Sequence, residues 1–139
     1  HNTVDGLASA EAASLLVYYC KNNLGPVNEA GFWIEQTLQG TSPNDWSVPW
    51  VGKVKTKGWM SVRAAITALS QHTSLTELLK TCINFSGDVD TVASIALAAA
   101  STSKQYTQDL PDTLILGLEN NLFGRDYILD LDRQLAEKF

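Results

Sequence analysis

The stretch from Phe85 to Ser94 reads FSGDVDTVAS and places Asp88 and Asp90 two residues apart, with Gly87 before them and Thr91 directly after. Two carboxylates and a hydroxyl form a hard oxygen set, suited to magnesium, manganese or calcium rather than zinc. The same residues also suit the start of a helix. Asp is a favoured N-cap, and acids near a helix N-terminus interact well with the macrodipole. One acid is enough for that purpose. A second, on a helix that is otherwise uncharged, has to be solvated, protonated or bound to a cation. Spacing alone leaves capping and cation binding both open. An EF-hand is excluded: counting from Asp88, Ala93 stands at the sixth position, where Gly is needed, and Ala99 at the twelfth, where Glu is needed. The chain also has no phosphate-binding loop, no Gly-x-Ser-x-Gly elbow and no His-Glu-x-x-His.

The elements that must carry these residues read as helices. Ala8, Ala12, Leu15, Leu16 and Tyr19 recur at helical spacing, and Gly25-Pro26 is the expected stop. A second helix is predicted over 27–38, ending at Gly40. Val62, Ala65, Ile66 and Leu69 form a third stripe; Leu75, Leu78, Leu79, Cys82 and Ile83 form a fourth, with Ser74 and Glu77 as a capping box. Val92, Ile95, Ala96 and Ala99 give a fifth, and Ile128, Leu131, Leu135 and Phe139 a last one, with Arg133 and Glu137 as an exposed i,i+4 pair. No segment alternates like a strand, so the expected class is all-α, in one region over residues 1–139. The small side chains of TVASIALAAAS let backbones approach closely. This predicts a central helix whose N-terminus aims Asp88 and Asp90 at the middle of the bundle or at a pocket mouth. The connection over 41–57 is long enough to be functional or mobile.

Composition narrows the class of partner. The chain has 139 residues and a formal net charge of −5, without the basic patch of a nucleic-acid binder. No apolar run reaches the ~18–20 residues of a membrane span, and no stretch reads as a secretory signal. Cys20 and Cys82 lie far apart without a Cys-x-x-Cys partner and read as core thiols of a reducing, cytoplasmic setting. Asn84-Phe85-Ser86 fits a glycosylation sequon, a pattern frequent by chance. Trp46, Trp50 and Trp59 either pack the long connection against the core or form an aromatic wall. His72 reads as a charge partner at a helix C-terminus. Lys53, Lys55 and Lys57 read as a solvated loop, with a pyrophosphate contact as the alternative.

SGDVDTVASIALAAAS resembles the C-terminal metal motif of the ADP-ribosylglycohydrolase family, Gly-Asp-x-Asp-Thr followed by an apolar, Ala-rich helix. The likeness runs along the chain. GWMSVRAAITALSQHTSLTELLKTCINFSGDVDT resembles the family's two helices leading into the motif. DLPDTLILGLENN and YILDLDRQLAEKF resemble its closing segments, and HNTVDGLASAEAASLLVYY its helix of small residues after a Thr-His-Asn or Thr-His-Pro. Val89 stands where Thr is common between the acids.

The resemblance implies an all-α, orthogonal multi-helix bundle with two magnesium ions at its centre, manganese being possible in their place. It implies that Asp88, Asp90 and Thr91 are metal ligands, with Asp88 and Asp90 also serving catalysis and Asp90 a candidate bridge between the ions. His1 matches a histidine near bound ADP-ribose. The implied reaction is hydrolysis of the glycosidic bond joining ADP-ribose to a protein side chain or small group. Members usually carry a GDALG-like segment and a Thr-Asp-Asp motif that supply further ligands, and neither occurs here. Two divalent ions carry +4 and the two acids −2. The chain is therefore expected to be a fragment, a C-terminal half that needs an N-terminal half to complete its site and that self-associates through apolar surface belonging to that interface. A catalytically inactive member, serving as a binding or structural protein, is the alternative; a helical module in which the acids only cap is a third.

Overall fold

The computed structural model describes residues 2–39 and 45–138. Every regular element among them is helical, as the periodicities predict. No described helix is long and apolar enough to cross a membrane. The chain divides into two compact units, His1–Asp109 and Leu110–Phe139.

The first unit holds α1 (Val4–Lys21), a 3-10 turn (Val27–Glu29), α2 (Ala30–Thr37), α3 (Gly58–Gln71), α4 (Leu75–Asn84) and α5 (Val89–Thr102). Helix α1 starts where Thr3, in extended backbone, accepts a hydrogen bond at Oγ1 from Gly6 N (3.1 Å). It ends one turn before the expected glycine. Asn23 takes the left-handed conformation (φ 49°), which Asn tolerates better than most residues. Gly25 instead leaves room for the Tyr19 hydroxyl, which donates to Pro26 O (3.0 Å).

The central helix is α3, not the Ala-rich α5. Ala64, Ala65, Ala68 and Leu69 are wholly buried, and α1, α2, α4 and α5 all pack on this helix. Helix α5 packs on α1, α3 and α4, burying Val92, Ala96, Ala99 and Ala100. In α4 the stripe buries Leu75, Leu78 and Cys82, but Ile83, in the last turn, is exposed. Ser74 caps α4, its Oγ accepting from Glu77 N (3.2 Å). The Glu77 carboxylate does not close the capping box; it pairs with Lys80 (2.7 Å). Asp109 takes up the remaining donors, accepting from Ser74 Oγ (2.6 Å) and Thr76 N (3.1 Å). These bonds hold its carboxyl below the ordinary value.

The described part of the long connection, residues 45–57, is fastened rather than loose. Trp46 is buried, Trp50 N donates to the Thr67 hydroxyl (2.8 Å), and Arg63 donates to Val48 O (2.9 and 3.1 Å). Glu35 accepts from both N and Oγ of Ser47 (2.9 and 2.6 Å), which lowers its pKa.

The second unit holds α6 (Asp112–Leu116) and α7 (Arg125–Ala136), neither with a buried residue. Arg133 pairs with Glu137 (2.8 Å) as expected, and with Asp130 (2.7 Å). Phe139, expected on the same stripe, lies outside the described residues.

Candidate functional site

The backbone that delivers Asp88 is a tight reversal. Ser86 and Gly87 both have positive φ (59° and 85°). Asp88 then sits at φ −80°, ψ 56°, the inverse γ-turn conformation, and Val89 N donates to Gly87 O (2.9 Å) across it. The reversal is pinned from one side by Val54. Val54 N donates to Ser86 O (3.1 Å), and Asp88 N donates to Val54 O (3.2 Å), an isolated parallel bridge. A side chain on Gly87 would overlap the Val54 carbonyl. The glycine is there because another strand of backbone occupies the space where a Cβ would go.

This geometry separates the two readings of the acids. Thr3 and Ser74, the working N-caps, lie in extended backbone with ψ 154° and 132°, and each side chain accepts from the helix N–H three residues on. Asp88 occupies the N-cap position of α5 with ψ 56°, and its side chain accepts from no helix N–H. Its Oδ1 accepts instead from the Thr91 hydroxyl (2.9 Å) and its Oδ2 from the Ser61 hydroxyl (3.3 Å). The γ-turn has rotated the carboxylate off the helix axis.

Asp88 is half-buried, while Asp90 and Thr91 are exposed. The acids therefore lie at the surface of the first unit and not in the middle of the bundle, the buried face of α5 running through Val92, Ala96, Ala99 and Ala100 instead. Asp90 makes no hydrogen bond or ion pair among the described residues, so its carboxylate is free to take a ligand. Asp88 and Thr91, at i and i+3, share one helix face. A carboxylate steadied by hydroxyls, a neighbouring free carboxylate and a threonine oxygen fit a hard cation in kind, but they are too few to fill the six or more positions such an ion takes. Among the described residues no group of three or more His, Cys, Asp or Glu could hold a metal ion.

The other candidates separate clearly. His1 lies outside the described residues. Trp50 and Trp59 meet edge to face (centroids 5.6 Å apart), and the Arg63 guanidinium lies 5.7 Å from each ring. Trp46 is buried. These side chains pack the connection onto α3. His72, at the end of α3, meets the Thr81 hydroxyl through Nε2 (2.7 Å). It lies on a cavity of about 440 Å³ lined also by Val27, Ser74, Glu77 and Gln105, away from the paired acids in sequence and in lining. Lys53, Lys55 and Lys57 are exposed and form no ion pair among the described residues. Cys20 and Cys82 are free and buried, and burial pushes both thiols up to about 11.

Sequence reasoning did not single out Ser61 or Val54. A polar residue on the buried stripe Ser61–Ala65–Ala68 was the available signal for the first. For Val54 there was none, since it lies in an irregular segment and acts through its backbone.

A family model described as ADP-ribosylglycohydrolase matches residues 2–139. The chain belongs to the ADP-ribosylglycohydrolase family. No curated protein matches it, and no solved structure does. The helical architecture is consistent with the all-α fold of an ADP-ribosylglycohydrolase. Membership points to hydrolase chemistry of the ADP-ribosylglycohydrolase type, with ADP-ribosylated substrates.

Proposed function

We propose that Asp88, Asp90 and Thr91 form part of a divalent-cation site serving hydrolysis of the glycosidic bond between ADP-ribose and a protein side chain or small group. One observation carries this reading: Asp88 stands at a helix N-cap yet caps nothing. An aspartate placed there for helix stability would bond the helix amides, as Thr3 and Ser74 do. Magnesium, or manganese in its place, would supply orientation of the ribose hydroxyls and a more acidic water. Asp88 and Asp90 would bind it through carboxylate oxygens and Thr91 through its hydroxyl lone pairs, with Asp90 free to bridge to a second ion. Hydrolysis adds the water hydroxyl to the anomeric carbon and its proton to the departing group. The remaining ligands are waters or groups that the described residues do not supply, such as the acids of an N-terminal half.

The test is magnesium-dependent release of ADP-ribose from an ADP-ribosylated protein, using the chain alone and the chain mixed with an N-terminal half from the family. Asp90→Asn is expected to abolish release. Unchanged release would sink the assignment.

A second reading, a member that binds without catalysis, is favoured by the absence of a fuller ligand cluster among the described residues. Calorimetry with ADP-ribose distinguishes them: heat that is independent of magnesium, with no turnover, supports the binding protein.

A further inference from the structure

We infer that Ser61 is a positioning residue, whose hydroxyl donates to Asp88 Oδ2 and holds that carboxylate in the orientation in which it receives a divalent cation. This rests on the reading of Asp88 as a ligand. Helical serines and threonines in this chain usually turn their hydroxyls back on their own helix. Ser9 donates to Asp5 O (2.6 Å), Ser14 to Ala10 O (2.8 Å), Thr37 to Trp33 O (2.8 Å) and, within α3 itself, Thr67 to Arg63 O (2.8 Å). Ser61 does not. It lies in the first turns of α3, 1% exposed, and its hydroxyl reaches across to the start of α5. Asp88 is its only acceptor among the described residues, and burial denies it water. A buried hydroxyl left without an acceptor is costly, so Ser61 and Asp88 constrain one another.

The arrangement makes chemical sense for a ligand. The two oxygens of Asp88 each receive one hydroxyl, from Thr91 on its own helix and from Ser61 on the neighbouring one. Two donors on different elements fix the plane of the carboxylate, and each oxygen keeps a lone pair for a cation. At 3.3 Å the Ser61 contact is long for an O–H···O bond. It therefore leaves the Asp88 oxygen open to an ion, and what ties the two groups is that the buried Ser61 hydroxyl has no other acceptor among the described residues. Hydroxyl partners of this kind steer metal-binding carboxylates, and their loss commonly weakens metal binding.

Manganese titration of the 139-residue chain, followed by broadening of backbone amide resonances, tests this without catalysis. In the native chain the amides of residues 87–91 are expected to broaden first. Ser61→Ala should move that broadening to about tenfold higher manganese, and Ser61→Thr, which keeps a hydroxyl, should bring it back towards the native concentration. Ser61→Cys, close in volume with a weak donor, should shift it in the same direction as alanine and serves if the alanine variant does not fold. Thermal midpoints are recorded for each. If Ser61→Ala broadens at the native concentration while Asp88→Asn abolishes broadening, the hydroxyl only packs the helices. The positioning role then falls and the ligand assignment stands. If the native chain shows no focused broadening at 87–91, either alone or mixed with an N-terminal half from the family, the ligand assignment falls and takes the role of Ser61 with it.

Discussion

Replacing Gly87 by alanine asks the reversal before α5 to admit a methyl group where the Val54 carbonyl already sits. Two costs follow from the geometry. An L-residue held at φ near +85° costs about 1–2 kcal/mol relative to glycine. Moving the chains apart also gives up the hydrogen bonds from Asp88 N to Val54 O and from Val54 N to Ser86 O, each with a net value of about 1 kcal/mol. Together they predict a loss of about 3 kcal/mol, a sizeable part of the stability of a small domain. Urea unfolding followed by circular dichroism measures it, with an unchanged slope showing that the unfolding transition is still the same one. Ser86→Gly is the matching control. It relieves left-handed strain without adding an atom and is expected to gain about 0.5 kcal/mol after the entropy of glycine is charged against it. A loss below about 1 kcal/mol for Gly87→Ala would refute the argument, because the Val54 bridge would then not be what holds the turn.

Ser74→Ala should cost about 1 kcal/mol by losing a working cap. Asp88→Ala should also cost about 1 kcal/mol, but by leaving the buried Ser61 hydroxyl without an acceptor; adding Ser61→Ala should recover most of that loss, and an unrecovered loss would show that Asp88 caps after all. Asp109, held below its ordinary pKa by Ser74 and Thr76, contributes stability that is present above its unfolded value and lost as pH falls through the lower folded one. The difference in thermal midpoint between the native chain and Asp109→Asn should accordingly shrink on acidification through that window, and a constant difference would contradict the linkage. Cys20 and Cys82, buried with thiols pushed up to about 11, should resist alkylation at pH 8 in the folded chain and react in urea. Rapid labelling of the folded chain would refute their burial. Tyr106→Phe removes a donor to Leu69 O (2.6 Å) in the core and should cost about 1–2 kcal/mol in urea unfolding; no change would mean that the carbonyl finds another partner.

Helical periodicity made most of the fold legible, because burial on one face repeats every turn. The stripes of α1, α3 and α4 predict the buried Leu16, Leu69 and Leu78 directly. Where periodicity was silent, long-range contacts decided. Small side chains alone suggested that α5 is central, yet α3 is also rich in small residues and has four helices on it. The connection over 41–57 read as functional or mobile from its length, with packing of its tryptophans left open, because no pattern in it announces Arg63 or Glu35 as anchors of its described part. The paired acids were visible from their spacing. Their conformation was not, since the ψ of Asp88 depends on a bridge to Val54, which lies 34 residues earlier.

That bridge bears on what the motif Gly-Asp-x-Asp-Thr can tell an observer who meets it in another chain. Its first letter records a steric fact about the backbone, and the letters after it, on the function proposed above, record an appetite for cations. The two can be lost separately. A descendant without catalysis that kept the fold would be free to change Asp90, which has no hydrogen bond or ion pair among the described residues, and next Thr91. It would keep Gly87 as long as Val54 stayed in place. Decay of such a site would thus proceed from the last letters towards the first, leaving the glycine as its fossil.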